Sequence, residues 1–561
     1  MKKSLSNIKI DKIWYGWVGL ARRQDGKRIL IKGWALPGSV VDLKIVKEKK
    51  DFIEAHITKI IKTDPKIVDG EVFCPHFFCS TAPAKRGCEN NQATRDSQLE
   101  ISPLWRRGVG GEGNPATVGC WGCKWQQLNY ITQLKLKEDI VREAFEKIMK
   151  QNNNIQFLPI VGSPQDLGPA KLGRGYRNKI EFSFGKYITN DYSSPDPRTA
   201  AVITLSNRSV GFHKQGEFSK IIDIENCGLI SDKANEIFAY IKKLCFKSGL
   251  PVYDQKTHQW FFRHLVIREG TNTQQFLVNL SVADNNLPSQ KERGGGWGNQ
   301  KREKLLEKLK KDKFLKETVD TLVITYNNEL GDTIKNDKSE TKTFRWEWHI
   351  YEKLIFKNDE TEPRDSSLVT SNSHEVTFRV SPFSFFQTNT LGAQQLFAQA
   401  MKLTGNVEGD ILDLYCWTGS IGLSFLKQGK GEKLLGIEIV EEAITDARHN
   451  AKINGLEERV NFLAAPAEKA FMTNPELRNK VPNLGLVIID PPRDGLHKNT
   501  ITLISQLKKE ADFKLLYISC NPITIKRDVE LFIEQWFTLK TIQPVDMFPQ
   551  THHIETIGIL Q

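Results

Sequence analysis

From about residue 381 to the C-terminus, short apolar runs alternate with stretches of helical spacing, a pattern that admits little other than a doubly wound α/β domain. The runs are Ile411 to Tyr415, Leu434 to Ile439, Val460 to Ala464, Leu486 to Asp490, Phe513 to Ile518, Thr538 to Val545 and Ile554 to Leu560. Strands covered on both faces read as unbroken apolar segments, and open sheets of this kind gather their chemistry at the carboxyl ends of the strands. One such end carries a cysteine, in Ser519-Cys520-Asn521-Pro522. Asn521-Pro522 stops the strand, and Thr524 is expected to cap a helix opening at Ile525. The positive end of that helix, with Lys526 and Arg527, predicts a raised thiolate fraction at Cys520. By position alone, a buried structural cysteine serves equally well.

The first strand leads into a glycine turn, Thr418-Gly419-Ser420-Ile421-Gly422, and Glu438 lies 19 residues after Gly419. A carboxylate at that distance suits the ribose hydroxyls of a bound nucleoside. The G-x-G-x-x-G fingerprint that cradles a pyrophosphate is absent, so S-adenosylmethionine fits better than NAD.

With 561 residues the chain has room for about three or four domains, and we divide it at 1–65, 66–375 and 376–561. Residues 8–62 hold short alternating runs, Leu30 to Gly33 and Val40 to Val46 among them, split by turns at Gln24-Asp25-Gly26 and Pro37-Gly38. About five strands in that length predict a small β-barrel of the oligonucleotide-binding (OB) type. Its Lys44, Lys47, Lys49, Lys50, Lys59 and Lys62 suit a phosphate backbone as well as a solvated strand edge. Cys74, Cys79, Cys88, Cys120 and Cys123 follow, before a helix from about Ile131 to Met149. The C-x-x-C of Cys120 and Cys123, with further thiols nearby, points to a tetrathiolate site, iron–sulfur or zinc. Nine cysteines in a chain without an export signal speak for metal or catalytic use rather than disulfides.

Segments 80–118, 286–302 and 357–374 lack periodicity and read as inserted loops. Between 170 and 350, Tyr176 to Gly185 and Arg263 to Glu269 alternate like strands while carrying Arg177, Lys179, Arg263 and Arg268, a combination that suits RNA. The formal charge of +12 points the same way. No run of 18 apolar residues occurs, and Met1 to Ile10 lacks an apolar core. A cytoplasmic monomer without membrane attachment is expected.

Five blocks occur in order: Ser381-Pro382-Phe383-Ser384-Phe385-Phe386-Gln387-Thr388-Asn389, Asp413-Leu414-Tyr415-Cys416, Asp490-Pro491-Pro492-Arg493-Asp494-Gly495, Ser519-Cys520-Asn521-Pro522 and Asp546 to Thr556. In them the chain resembles the RNA uracil-5 methyltransferases. The likeness reaches back through Tyr176 to Gly185 and Arg263 to Gly270 to the N-terminal barrel, which resembles a TRAM domain. It implies a multidomain α/β protein: an OB-like barrel, a central α/β RNA-binding domain with an iron–sulfur cluster, and a Rossmann-like methyltransferase domain. It implies Cys520 as the nucleophile on carbon 6 of uracil and Glu555 as the base that removes the proton on carbon 5. Gln387, Tyr415, Glu438 and Asp490 match positions that contact S-adenosylmethionine.

The resemblance further implies a [4Fe-4S] cluster on Cys74, Cys120, Cys123 and the distant Cys227, with Cys79 competing for the place beside Cys74. The cysteines resemble the branch acting on 23S ribosomal RNA, with tRNA as the alternative substrate. Trp417 departs from the family's usual glycine after Tyr-Cys, and Trp121 from the usual Cys-Gly-Gly-Cys. Two other classes are open. A non-catalytic RNA-binding protein or chaperone would not need Cys520 and Glu555; a DNA cytosine-5 methyltransferase would need a Pro-Cys motif that is missing.

Overall fold

The computed structural model of the protein describes residues 4–14, 18–32, 36–62, 120, 122–123, 125–126, 128–164, 173–186, 208–214, 217–255, 257–258, 260–283, 299–331, 333–335, 339–344, 347–356 and 374–561. Cys74, Cys79, Cys88, Trp121 and the whole of 80–118 lie outside these residues, as do most of 286–302 and 357–374. The chain divides into two compact units: Met1–Leu136 with His213–Phe218 and Gln550–His552, and the remainder.

In the first unit, β1 (Ser4–Lys9), β2 (Lys12–Trp14), β3 (Val18–Arg22), β4 (Arg28–Lys32), β5 (Val40–Glu48) and β6 (Phe52–Lys62) form one sheet in the order β1-β5-β6-β4-β3-β2. That is one strand more than the spacing predicts, because β1 opens before the periodic stretch. Ile29 and Ile31, Val41 and Leu43, and Ile53 and Ala55 are fully buried at every second position, which gives each strand one dry face. All six lysines named above on β5, β6 and their connection are exposed.

Helix α1 (Tyr130–Gln151) and strand β7 (Gln156–Phe157) come next in the chain. Next along the chain are β8 (Lys179–Gly185), β9 (Ser209–Lys214), β10 (Glu217–Asp223), α2 (Asp232–Lys247), β11 (Phe262–Gly270), β12 (Gln275–Val282), α3 (Asn299–Lys311), α4 (Lys313–Thr318), β13 (Thr321–Tyr326) and β14 (Glu340–Thr343), whose strands form a mixed sheet ordered β10-β9-β8-β11-β12-β13-β14. Residues 299–302, expected to be loop, are the first turn of α3.

The basic alternation on β11 has a different meaning from the one expected. This strand is central, and Phe262 through Ile267 and Arg268 among them are buried on both faces. Arg268 donates to the Ser384 carbonyl at 2.6 Å, and burial pushes its guanidinium down to about 10. Arg263 donates to the carbonyls of Leu330 and Gly331, both at 3.0 Å, with its guanidinium 3.4 Å from the centre of the Tyr253 ring. Both side chains are buried. Arg177 and Lys179 are half-buried; burial, then neighbouring Arg268, holds Lys179 down to about 8.

The hairpin β15 (Ile350–Phe356) and β16 (His374–Val380) precedes α5 (Thr390–Thr404). Then follow β17 (Asp410–Leu414), α6 (Ser420–Lys427), β18 (Leu434–Glu438), α7 (Glu441–Ile453), β19 (Val460–Ala464), α8 (Ala470–Thr473), β20 (Leu484–Ile489), α9 (Lys498–Glu510), β21 (Lys514–Ser519), α10 (Pro522–Glu534), β22 (Leu539–Val545) and β23 (Glu555–Leu560). They form a mixed sheet ordered β19-β18-β17-β20-β21-β23-β22-β7, in which β17 to β21 run parallel and β23 is antiparallel to both neighbours. Adjacent residues feed opposite cores. Ile411, Leu486 and Leu516 pack with Leu396 and Phe397 of α5, whereas Leu412, Val487 and Leu515 pack with Val141 and Phe145 of α1 and Ile504 of α9. Helices on both faces are why these strands read as unbroken apolar runs. Among the described residues, no helix is long and apolar enough to cross a membrane.

Candidate active site

The carboxyl ends of β17, β18, β20 and β21 lie side by side, and five of the six candidate catalytic and cofactor residues sit on or just after strands of this sheet. After β17 the chain turns through three left-handed residues, Tyr415 (φ 63°), Trp417 (φ 51°) and Gly419 (φ 77°). Only glycine enters that region freely, so the two aromatic residues must be held there. The Tyr415 N–H donates to Ile437 at 2.9 Å, and its phenol meets the Thr500 hydroxyl at 3.2 Å. Trp417 is held three ways: its backbone N–H donates to Glu438 Oε2 (3.4 Å), its indole N–H donates to the Asp490 carbonyl (3.3 Å), and its ring lies 4.4 Å from that of Phe385. The departure from glycine at Trp417 therefore leaves the turn in its left-handed form and knits it to its neighbours.

Glu438 ends β18, and its Oε1 accepts the Val440 N–H at 3.0 Å. Burial raises its carboxyl above the usual range, partly offset by these backbone bonds. Two oxygens with about four acceptor positions still leave capacity for ligand hydroxyls. Asp490 follows β20, and burial pushes its carboxyl up to about 7. Gln387 is buried in the segment before α5. The Asn178 amide fixes that segment by donating to the Gln387 carbonyl at 2.9 Å and to Thr390 at 2.8 Å; Thr390 in turn donates to buried Glu352.

Cys520 stands at the end of β21. The antiparallel register pairs Ser519 with Thr556, so the next step along each strand sets Cys520 opposite Glu555. Three charged groups act on the thiol besides its burial: Glu555, Arg493, which hydrogen-bonds it, and Asp490. Burial and then Glu555 push the thiol up to about 11, against the pull of Arg493. This corrects the expected activation by the following helix. That helix opens at Pro522 rather than Ile525, with Asn521 as its cap through Oδ1 to the Ile523 N–H at 3.0 Å. Thr524 donates to the carbonyls of Asn521 and Arg493 instead. Lys526 pairs with Glu530 at 2.6 Å, and Arg527 with Asp528 at 2.7 Å, so neither charge is spent on the thiol. Glu555 is itself buried, and its carboxyl is held well above the usual range by burial and then by Asp490.

Residues 300–561 match the family model described as tRNA (uracil-5-)-methyltransferase. Over these residues the chain is similar to the RNA uracil-5-methyltransferases. It is an S-adenosylmethionine-dependent RNA methyltransferase. An uncharacterized RNA methyltransferase of Caldanaerobacter subterraneus is 28% identical over 561 residues, covering 100% of this chain and 99% of its own length. One from Chlorobaculum tepidum is 27% identical, with 96% of this chain and 92% of the relative covered. The crystal structure of the Pyrococcus abyssi tRNA (uracil-54, C5)-methyltransferase in complex with S-adenosyl-L-homocysteine shares the fold. It superposes with a TM-score of 0.61 at 22% identity, covering 99% of this chain and all of that one.

Within this sheet the structure adds Arg493, which sequence reasoning passed over. It stands inside the quoted Asp490 to Gly495 block, and only the fold reveals that this turn reaches the thiol. Cys120 and Cys123 are buried in the first unit and Cys227 in the second. Among the described residues no group of three or more His, Cys, Asp or Glu is placed to hold a metal ion; Cys74 lies outside them. Burial raises the Cys227 thiol above its usual range, partly offset by the backbone N–H groups of Leu229 and Ile230.

Proposed function

We propose that the chain methylates carbon 5 of a uridine in RNA, with Cys520 as nucleophile and Glu555 as base. The observation that carries the reading is the register of β21 on β23, which sets thiol and carboxyl opposite each other with Arg493 on the thiol. Carbon 5 of uracil is a poor nucleophile. Addition of the Cys520 thiolate to carbon 6 makes it an enolate carbon, and sulfur can leave again when the proton on carbon 5 is removed. Glu555 would take that proton. S-adenosylmethionine, when bound, supplies the electrophilic methyl group. Glu438, with spare acceptor positions at the end of β18, would hold its ribose, and Gln387, Tyr415 and Asp490 would line the remainder. The target base must leave its stack to reach the thiol, so a looped RNA is the expected substrate. The reaction is tested by incubating the enzyme with uridine-containing RNA and identifying 5-methyluridine by nucleoside mass spectrometry.

Thiol and carboxyl acidities set the pH response. The thiolate attacks, and below a folded pKa of about 11 the thiol form dominates. Glu555, also raised, must lose its proton before it can accept one. Both requirements favour higher pH, so kcat/KM should climb across about pH 7 to 9, by about tenfold per unit for each of the two groups still protonated. A profile that falls over that range contradicts the assignment.

Burial of Arg263 and Arg268 transfers the RNA-contacting role to exposed lysines. On α3, Arg302, Leu305 and Leu309 are buried, while Lys301, Lys304, Lys308 and Lys311 recur at helical spacing and are exposed. These lysines suit a phosphate backbone, as, separately, do those of β5 and β6. Affinity for RNA should fall with salt at a log–log slope of about −0.7 per phosphate contacted. Replacing Lys301, Lys304 and Lys308 together by alanine should flatten that slope by about 2. An unchanged slope removes α3 from the interface.

Large-subunit (23S) ribosomal RNA is the proposed substrate, on the resemblance of the cysteines; tRNA is the second reading, favoured by the description of the matching family. Mapping 5-methyluridine in both RNAs from cells lacking the protein separates them. By the resemblance, Cys74, Cys120, Cys123 and Cys227 would hold a [4Fe-4S] cluster. The insertion between Cys74 and Cys120 adds roughly 2 kcal/mol of loop-closure entropy, small beside the order of 10 kcal/mol from a structural metal site. Anaerobically purified protein should carry about four irons per chain. It should keep them in Cys79→Ser and Cys88→Ser and lose them in Cys227→Ser; one zinc, or colour that depends on Cys79, contradicts the ligand set.

A further inference from the structure

The turn that carries Arg493 is bonded at almost every residue to the first two turns of α10. The Arg493 carbonyl accepts from the Asn521 amide at 3.0 Å and the Thr524 hydroxyl at 3.3 Å. The Asp494 and Leu496 carbonyls accept from Arg527 Nη2 at 3.0 and 3.4 Å. Beneath them is Asp528, whose side chain is fully buried. Its Oδ2 accepts from the Leu496 N–H at 2.8 Å and the Tyr517 hydroxyl at 2.7 Å, and its Oδ1 from Arg527 Nε at 2.8 Å. Gly495 has φ 78° and lies so close that a Cβ there would stand 2.6 Å from both Asp528 Oδ2 and Arg527 Nη2. One carboxylate thus joins the strand that delivers Cys520, the helix that follows it, and the turn that brings Arg493 to the thiol.

We propose that Asp528 is a positioning residue that holds Arg493 against the Cys520 thiol and so sets how readily the thiol ionises. This rests on the reading of Cys520 as nucleophile, and it assigns the role of α10 differently from a direct helix effect. The charges of α10 act on the turn, and the turn's guanidinium acts on the sulfur. The groups that face the sulfur are Arg493 from the turn, Asp490 from the end of β20 and Glu555 from β23. Only the first favours the thiolate. Loosening its anchor therefore raises the pH at which the thiol ionises, while leaving the two opposing carboxyls in place.

The test reads thiol acidity and requires no RNA. The full-length protein is alkylated with iodoacetamide from pH 7 to 11, and the peptide containing Cys520 is quantified by mass spectrometry. Asp528→Asn should slow alkylation at pH 8 by about three- to tenfold, the consequence of withdrawing an opposite charge from a thiol. Tyr517→Phe, which removes one donor to Asp528 and keeps the ring, should move it the same way by less. Arg493→Ala should give the full slowing, and adding Asp528→Asn to it should change nothing further, because two residues acting through one contact are not additive. A well-folded Asp528→Asn or Tyr517→Phe with the wild-type profile overturns the proposal. So does a shift that Asp528→Asn still produces without Arg493. The nucleophile assignment stands or falls separately, on methyl transfer by Cys520→Ala.

Discussion

Cys520→Ala will drop methyl transfer below about a hundredth of the wild-type rate while leaving the affinity for S-adenosylmethionine within about twofold. The two halves of this expectation rest on different parts of the site. Without a thiol to add to carbon 6, the uracil ring does not become an enolate. Cofactor contacts, by contrast, are assigned to Glu438, Tyr415, Asp490 and Gln387. The substitution is also mild for the fold, since Cys520 is half-buried and alanine leaves the Asn521 cap in place. Isothermal titration with S-adenosylhomocysteine and a tritium-release assay on the same preparation read both halves. Residual transfer above about a hundredth would mean that acid–base effects suffice without covalent addition.

Glu555→Gln should fail at a later step. Glutamine has the shape of the neutral carboxyl, which is the form that burial and Asp490 favour at this position, so the fold and the first two steps should be preserved. Glutamine cannot accept the proton on carbon 5. Methylated RNA should then stay attached to Cys520, and turnover should fall by more than about a hundredfold. On denaturing gels a retarded protein–RNA band should build up, and it should vanish in the double variant with Cys520→Ala. Slow turnover without such a band would assign the proton transfer to another group.

The parallel strands were legible because helices cover both faces, and each lies within one or two residues of its apolar run. The position of Glu438 at the end of β18 was legible from the apolar run that precedes it. The start of α10 was misplaced because Pro522 was taken as a breaker, although proline at the first helical position after an asparagine cap is an ordinary helix opening. On β11, alternation revealed a strand but not that both of its faces are dry; that depends on β8 and β12 at its sides and on α2 and β15, which pack against it. The acidity of Cys520 was misjudged for a related reason. Local sequence shows Lys526 and Arg527, but it does not show that Glu530 and Asp528 take up those charges, or that Arg493 arrives from another turn. Trp417 looked like a liability, yet its indole contacts the segments on either side of the turn.

The central claim is covalent addition of Cys520 to carbon 6 of uracil, and 5-fluorouridine RNA tests it most directly. Fluorine on carbon 5 cannot be removed as a proton, so methyl transfer should halt with enzyme and RNA joined. Incubation with such RNA and S-adenosylmethionine, followed by protease and nuclease digestion, should yield the Cys520 peptide carrying a methylated 5-fluorouridine nucleotide. No such adduct should form with Cys520→Ala. Methylation of ordinary RNA by the same preparation, with no adduct on Cys520 from the fluorinated RNA, would contradict the account.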